Sequence, residues 1–123
     1  MPIAWELRGT VLVVTEAGMV PNSEIEQTFL GEALFEVRSA GPARVLWDAR
    51  GGRTPLSPDD IEWRTETLSS LASRGVVSRF ALLLKAERQL TIQLARSEFA
   101  KVVAPLQFGV FTEESEALAW LRS

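Results

Sequence analysis

Short runs of consecutive apolar residues, separated by segments with helical periodicity, constrain the fold of this chain most strongly. Residues 11–14 are Val-Leu-Val-Val, residues 45–47 are Val-Leu-Trp, and residues 80–84 are Phe-Ala-Leu-Leu-Leu. A strand that is apolar at consecutive positions has to be covered on both faces, as in the parallel sheets of α/β proteins. The pattern therefore predicts an α/β domain whose sheet is buried beneath helices.

The remaining segments predict a complete order of elements. The strands of residues 3–8 and 10–16 flank Gly9 and are expected to form a hairpin, with the first strand nearer the edge of the sheet. Helices are predicted from an Asn22-Ser23 cap to about residue 39, over residues 57–74, as one helix or two over residues 87–104, and after a cap at Thr112. The intervening strands are predicted over residues 43–48, 76–85 and 106–111. The order ββαβαβαβα predicts one domain over residues 1–123, with a mostly parallel sheet and one antiparallel edge.

Composition limits the chemistry that this chain can perform. The 123 residues include no His and no Cys, and the formal net charge is −3. Catalytic triads that need His, thiolate chemistry and structural zinc sites are therefore excluded, and no cofactor is expected. A net acidic chain does not favour nucleic-acid binding, and no apolar run approaches the ~20 residues of a membrane span. We expect a cytoplasmic protein that is not an enzyme.

Three segments resemble the SpoIIAA-like family, which shares the STAS fold and has been grouped with CRAL-TRIO domains. These are Val-Leu-Trp-Asp at residues 45–48, Arg-Phe-Ala-Leu-Leu-Leu at residues 79–84, and the closing sequence from Phe111 to Leu121 with its acidic helix start and Ala-x-x-Trp-Leu. The resemblance implies a five-stranded mixed sheet surrounded by helices. It also implies a role among the switching, regulatory or apolar-ligand functions of that fold, and fold alone does not choose between them.

Several large apolar side chains lie outside the predicted core faces of their helices. Trp63 is about 200° from Ile61 at ~100° per residue, on the side of the helix that carries polar residues. Leu90 and Leu94 lie opposite the apolar face of their helix, and Phe35 lies off the main apolar stripe of the first helix. Exposed apolar patches often mark binding surfaces. These four residues are predicted to form a partner or apolar-ligand surface, unless a kink or a loop buries them.

A second candidate site lies around the start of the helix at Ser57. Phosphorylatable serines occur near this position in the anti-anti-sigma branch that the resemblance brings in, and Arg50 and Arg53 precede it in a Gly-rich segment that can hold an anion. The alternatives are a plain helix cap at Ser57 and a turn with solvated arginines. The Pro58-Asp59-Asp60 sequence that follows favours the cap, because it removes one N–H donor and adds two negative charges.

These observations predict a non-enzymatic regulatory or protein-interaction module of SpoIIAA-like fold. Its partner would be another protein or a second copy, which makes a homodimer one expected form. The alternative function is a carrier or sensor of an apolar, lipid-like ligand, and a phosphorylation switch at Ser57 is a third hypothesis. Copies per assembly, bound lipid and phosphate distinguish the three.

Overall fold

Five strands form one sheet in the part of the chain that the structure describes. The computed structural model describes residues 3–20, 25–34, 41–53, 57–101 and 107–123. The strands follow chain order across the sheet, with β1 at one edge and β5 at the other. They are β1 (Ile3–Arg8), β2 (Val11–Gly18), β3 (Ala43–Gly52), β4 (Val77–Leu83) and β5 (Gln107–Phe111).

The pairing of the strands matches the predicted mixed sheet. β1 and β2 are antiparallel and form the hairpin around Gly9, whose positive φ of 63° suits glycine. β2, β3, β4 and β5 are parallel neighbours. The predicted α/β class, the order ββαβαβαβα and the edge position of the first strand are therefore confirmed.

Three of the described helices pack on one face of the sheet and the fourth packs on the other face. They are α1 (Ile25–Ala33), α2 (Pro58–Ser73), α3 (Gln89–Phe99) and α4 (Glu114–Arg122). α1 is a π-helix, in which each N–H bonds to the carbonyl five residues earlier, a form that recurs at functional sites. Its predicted apolar face is confirmed at Ile25, Phe29 and Ala33, which are all buried.

Alternation along the strands creates two separate cores. On β2, Leu12 and Val14 face the cluster that α1, α2 and α3 cover, whereas Val11 and Val13 face α4. The α4 side is closed by Ala117 and Leu121, which have no exposed surface. Consecutive apolar residues in the sequence are thus explained, because both faces of each central strand are buried.

Two arginines hold the end of α4 against the sheet. Arg44 on β3 donates from Nη1 to the Leu121 carbonyl oxygen at 2.6 Å. Arg79 on β4 donates to the carbonyl oxygens of Trp120 and Ser123 at 2.7 and 2.9 Å. Carbonyl groups at the end of a helix lack partners within the helix, and cations there also offset its dipole. The basic residue before the apolar run of β4 therefore has a structural function.

Some predicted boundaries were wrong. β3 does not stop at residue 48 but continues to Gly52, because Gly51 and Gly52 pair with the end of β2; the predicted loop starts later. Thr112 is not the cap of the last helix: Glu113 occupies that position, with extended backbone and no side-chain hydrogen bond. The helix predicted over residues 87–104 is shorter: α3 begins at Gln89 and ends at Phe99, with Ala100 at its C-cap. The predicted cap at Asn22-Ser23 and the end of the helix predicted to residue 39 lie outside the described residues.

Candidate functional site

An apolar cavity lies between one face of the sheet and helices α1, α2 and α3. Its volume is about 60 Å³, several times the ~10–15 Å³ that one water molecule needs. Trp63, Thr67 and Thr91 line it and are only half-buried, so the cavity reaches the surface between α2 and α3. The apolar lining comes from α1, the sheet and the two following helices: Ile25, Phe29, Trp47, Ala49, Ile61, Leu68, Phe80, Leu82, Leu84, Ala95 and Phe99.

Aromatic rings from the sheet, α1 and α3 form a connected series, of which Phe29, Trp47, Phe80 and Phe99 line the cavity. Phe29 meets Trp47 edge to face, with ring centroids 5.0 Å apart, and Trp47 lies 6.0 Å from Phe80. Phe108 on β5 then packs edge to face against Phe80 and stacks on Phe99 at 4.0 Å. Rings in contact with one another lose little freedom when a ligand binds, so the rings that line the cavity are suited to an apolar molecule.

A buried carboxylate forms the polar end of the cavity. Glu16 follows Leu12 and Val14 on the same face of β2 and is only 4% exposed. Its Oε1 accepts a hydrogen bond from Trp47 Nε1 at 2.8 Å and one from Arg64 Nη1 at 3.4 Å. Buried charges need such partners, because desolvation of an unpaired carboxylate is costly.

Arg64 on α2 is the counterion of Glu16. Its Nη2 also donates to the Val20 carbonyl oxygen at 3.4 Å. Burial lowers the pKa of the Arg64 guanidinium from its ordinary value, although the charges of Glu16 and Asp60 oppose that change. An arginine stays protonated at neutral pH even so. The cavity therefore ends at an ion pair whose net charge is zero.

Two glycines on β3 make room for Glu16. A Cβ atom on Gly51 would lie 2.8 Å from the Glu16 carbonyl oxygen, and a Cβ on Gly52 would overlap the Glu16 carboxylate. The pairing of β2 and β3 is irregular at this point, since Thr15 pairs with Asp48 and Ala17 pairs with Gly51. Glycine in a strand often marks a close approach of this kind.

Two polar atoms of α2 remain without partners beside the cavity. Thr65 Oγ1 and Arg64 Nε are buried and have no hydrogen-bond partner among the described residues. Thr65 lines the cavity and is 5% exposed, and Arg64 lines it as well. Native proteins rarely leave such groups unsatisfied, so a ligand or an ordered water molecule is the natural partner.

Of the described residues predicted to form one apolar surface, only Trp63 lines the cavity. Trp63 lies at the rim of the cavity, where it packs against the core that the first three helices cover. Leu90 is 77% exposed at the start of α3, and Leu94 is half-buried one turn further along. Phe35 lies outside the described residues. A partner surface formed by these residues stays a prediction.

The residues of the predicted phosphate or anion site already have partners in part. Ser57 caps α2: its Oγ accepts from the Asp60 backbone N–H at 3.1 Å, and Asp60 Oδ2 accepts from the Ser57 N–H. Arg50 lies within β3 and forms a 2.9 Å ion pair with Asp48, while Arg53 is exposed after the strand. The plain cap predicted as the alternative is present, and phosphorylation or anion binding stays a hypothesis.

Sequence reasoning missed the residues at the polar end of the cavity. The helical spacing of Thr65 with Ile61 and Leu68 predicts that it faces the core, but no pattern indicates that its hydroxyl lacks a partner. Glu16 carried a usable signal, because a carboxylate that continues the alternation of Leu12 and Val14 falls on a buried face. Its pairing with Arg64 depends on the packing of α2 against β2, which no local pattern encodes.

The described residues contain no group of three or more acidic side chains placed to hold a metal ion. None of their helices has the length and apolar character needed to cross a membrane.

Comparison with known proteins identifies the fold. No family model and no curated protein matches the sequence. A solved structure does match: an uncharacterised protein of the DUF3478 family from Shewanella loihica PV-4, described as having a SpoIIAA-like fold. It shares 22% identity and a TM-score of 0.63 with this chain, over 97% of this chain and 91% of the other. Similarity at this identity establishes architecture and not activity, and the relation to CRAL-TRIO domains stays a prediction. This chain is therefore an α/β protein of SpoIIAA-like fold.

Proposed function

We propose that this protein is a non-enzymatic module that binds a small apolar ligand, as a carrier or a sensor, in the cavity beneath α2 and α3. The cavity itself is the observation that carries the proposal, because it joins an aromatic wall to an opening at the surface. Ligand sites in proteins combine such apolar walls with a few fixed polar groups. The enclosed volume of about 60 Å³ holds a short chain or part of one ring, so the rest of a ring-sized ligand extends into the opening, and a two-chain lipid is too large.

A binding function also fits the state of the acidic residue in the cavity. Glu16 is held by Trp47 and by Arg64 at the same oxygen atom, which positions it as part of the wall. General acid or base catalysis would need the carboxylate to be available for proton transfer to a substrate.

We propose that the protein acts in the cytoplasm.

The four tryptophans provide the test, because two line the cavity and two do not. Toluene is titrated into the protein while the indole N–H signals of the four residues are followed by NMR. We expect the signals of Trp47 and Trp63 to shift in a saturable way, and those of Trp5 and Trp120 to stay in place. Equal shifts at all four residues, or none, would contradict the proposal. Native mass spectrometry of the purified protein then reports any molecule that co-purifies.

A protein partner, including a second copy of the chain, is the second candidate. The observation that favours it is Leu90, a large apolar side chain that is 77% exposed. Sedimentation of the wild type and of Leu90→Lys tests this function directly. If the wild type is a dimer and Leu90→Lys is a monomer, self-association through α3 is supported. If both proteins sediment as monomers, self-association is contradicted.

A further inference from the structure

We infer that the ligand carries a neutral oxygen that bonds to Thr65 and Arg64 in the wall of the cavity. The inference rests on the proposed function and adds the chemical class of the ligand, a small amphiphile with a hydroxyl or carbonyl group. It is carried by the two unpartnered polar atoms of α2, Thr65 Oγ1 and Arg64 Nε.

Three other hydroxyl groups of α2 form a hydrogen bond within the helix that Thr65 lacks. Thr67 donates to the Trp63 carbonyl oxygen at 2.8 Å, Ser69 donates to that of Thr65 at 2.9 Å, and Ser73 donates to that of Ser69 at 3.1 Å. Each hydroxyl thus bonds to the carbonyl four residues earlier, the usual choice in a helix. Thr65 is more deeply buried than any of them, yet its hydroxyl makes no such bond.

Arg64 adds a requirement for an acceptor. Its two terminal nitrogens reach the Glu16 carboxylate and the Val20 carbonyl oxygen, but Nε–H has no acceptor among the described residues. A guanidinium only donates, whereas a threonine hydroxyl both donates and accepts. A ligand oxygen has the chemistry that both groups need, because it can accept from the arginine Nε–H and exchange a hydrogen bond with the threonine hydroxyl.

The charge of the cavity selects a neutral group over an ionic one. Glu16 and Arg64 already balance each other across 3.4 Å. A carboxylate or an ammonium group on the ligand would add a net charge to a buried apolar site, where desolvation is not compensated. An alcohol, a ketone or an amide brings the oxygen without that penalty.

The test compares three probes that differ only in the polar group: toluene, benzyl alcohol and benzoate. Their affinities are measured by calorimetry for the wild type and for Thr65→Val, which keeps the shape of the side chain and removes the hydroxyl. We expect Thr65→Val to weaken benzyl alcohol binding about 3- to 10-fold and to leave toluene binding unchanged. Benzoate is expected to bind the wild type at least about 10-fold more weakly than benzyl alcohol.

Ser69→Ala is the matched control, because Ser69 is on the same helix with its hydroxyl bonded within that helix and does not line the cavity. It should leave the preference for benzyl alcohol intact, as should Thr65→Ser, which restores a hydroxyl at residue 65. If neither toluene nor benzyl alcohol binds, the proposed function itself is wrong. If toluene binds and Thr65→Val does not affect benzyl alcohol, only the inference is wrong. If benzoate binds more tightly than the other two probes, the inference that the polar group of the ligand is neutral is wrong.

Discussion

Filling the cavity with a protein side chain should stabilise the fold and prevent ligand binding. Ala95 on α3 is the suitable position, since it lines the cavity and is 1% exposed. Ala95→Leu adds three carbon atoms towards the space beside Phe80 and Phe99. Leucine is also a good helix former, so the backbone of α3 tolerates the change.

The size of the effect follows from the volume of the cavity. Cavities cost roughly 24 cal/mol per Å³, so complete filling of about 60 Å³ raises the free energy of unfolding by up to about 1.4 kcal/mol. For a chain of 123 residues this corresponds to an increase of roughly 5 °C in Tm. Urea denaturation and thermal melting followed by circular dichroism measure both quantities, and the toluene titration measures the loss of binding.

Ala117→Leu provides the control for this experiment. Ala117 is also a fully buried helical alanine, but it lies in the core under α4 and does not line the cavity. Overpacking there should lower the free energy of unfolding by about 1–3 kcal/mol. If Ala95→Leu destabilises the protein as much as Ala117→Leu does, the space beside α3 is already filled by side chains and the reasoning fails.

Three further predictions concern charged and polar groups. Arg64→Met leaves the Glu16 carboxylate buried without its counterion and should lower the free energy of unfolding by about 3 kcal/mol at pH 7; an unchanged urea midpoint would contradict the buried pair. Burial acts to raise the pKa of Asp48, but hydrogen bonds and charge from Arg50 outweigh it and lower that pKa below its ordinary value of 3.8. The stabilising effect is therefore present above pH 3.8 and is lost as the pH falls through the folded-state pKa. Asp48→Asn should cost less than about 1 kcal/mol at pH 7, and its difference from the wild type should shrink in urea titrations towards pH 3, whereas a constant difference would refute the assignment. Ser57→Ala removes the cap of α2 and should lower the free energy of unfolding by about 1 kcal/mol in urea denaturation. An unchanged urea midpoint would contradict a stabilising role of the cap.

The order of the elements could be predicted because it depends on local patterns. Consecutive apolar residues indicate strands that are buried on both faces, and Ser57-Pro58 indicates a helix start from its chemistry alone. The end of β3 could not be placed, because Gly51 and Gly52 resemble a turn in sequence. They belong to the strand because they pair with Ala17 and Gly18 of β2, and only glycine fits there because Glu16 occupies the space where side chains would be.

The candidate site was predictable only at its rim. Trp63 stood out as an apolar side chain on a polar face, and it does line the cavity. The prediction grouped it with Leu90 because both are apolar residues outside a core face, but distances between helices are not encoded in that pattern. Arg64 was unremarkable in sequence, since an arginine on a helix is usually solvated. Its burial results from the packing of α2 beside β2.

The unequal covering of the two faces of the sheet has a consequence for how the sequence of this protein can evolve. In the described part of the chain, the core under α4 shares no side chain with the core that borders the cavity. Substitutions at Phe29, Leu82 or Ala95 alter the shape of the cavity, while Leu46 and Leu121 belong to the separate core on the opposite face. A substitution that reshapes the proposed ligand site therefore leaves the packing under α4 in place, which preserves that part of the stability of the fold.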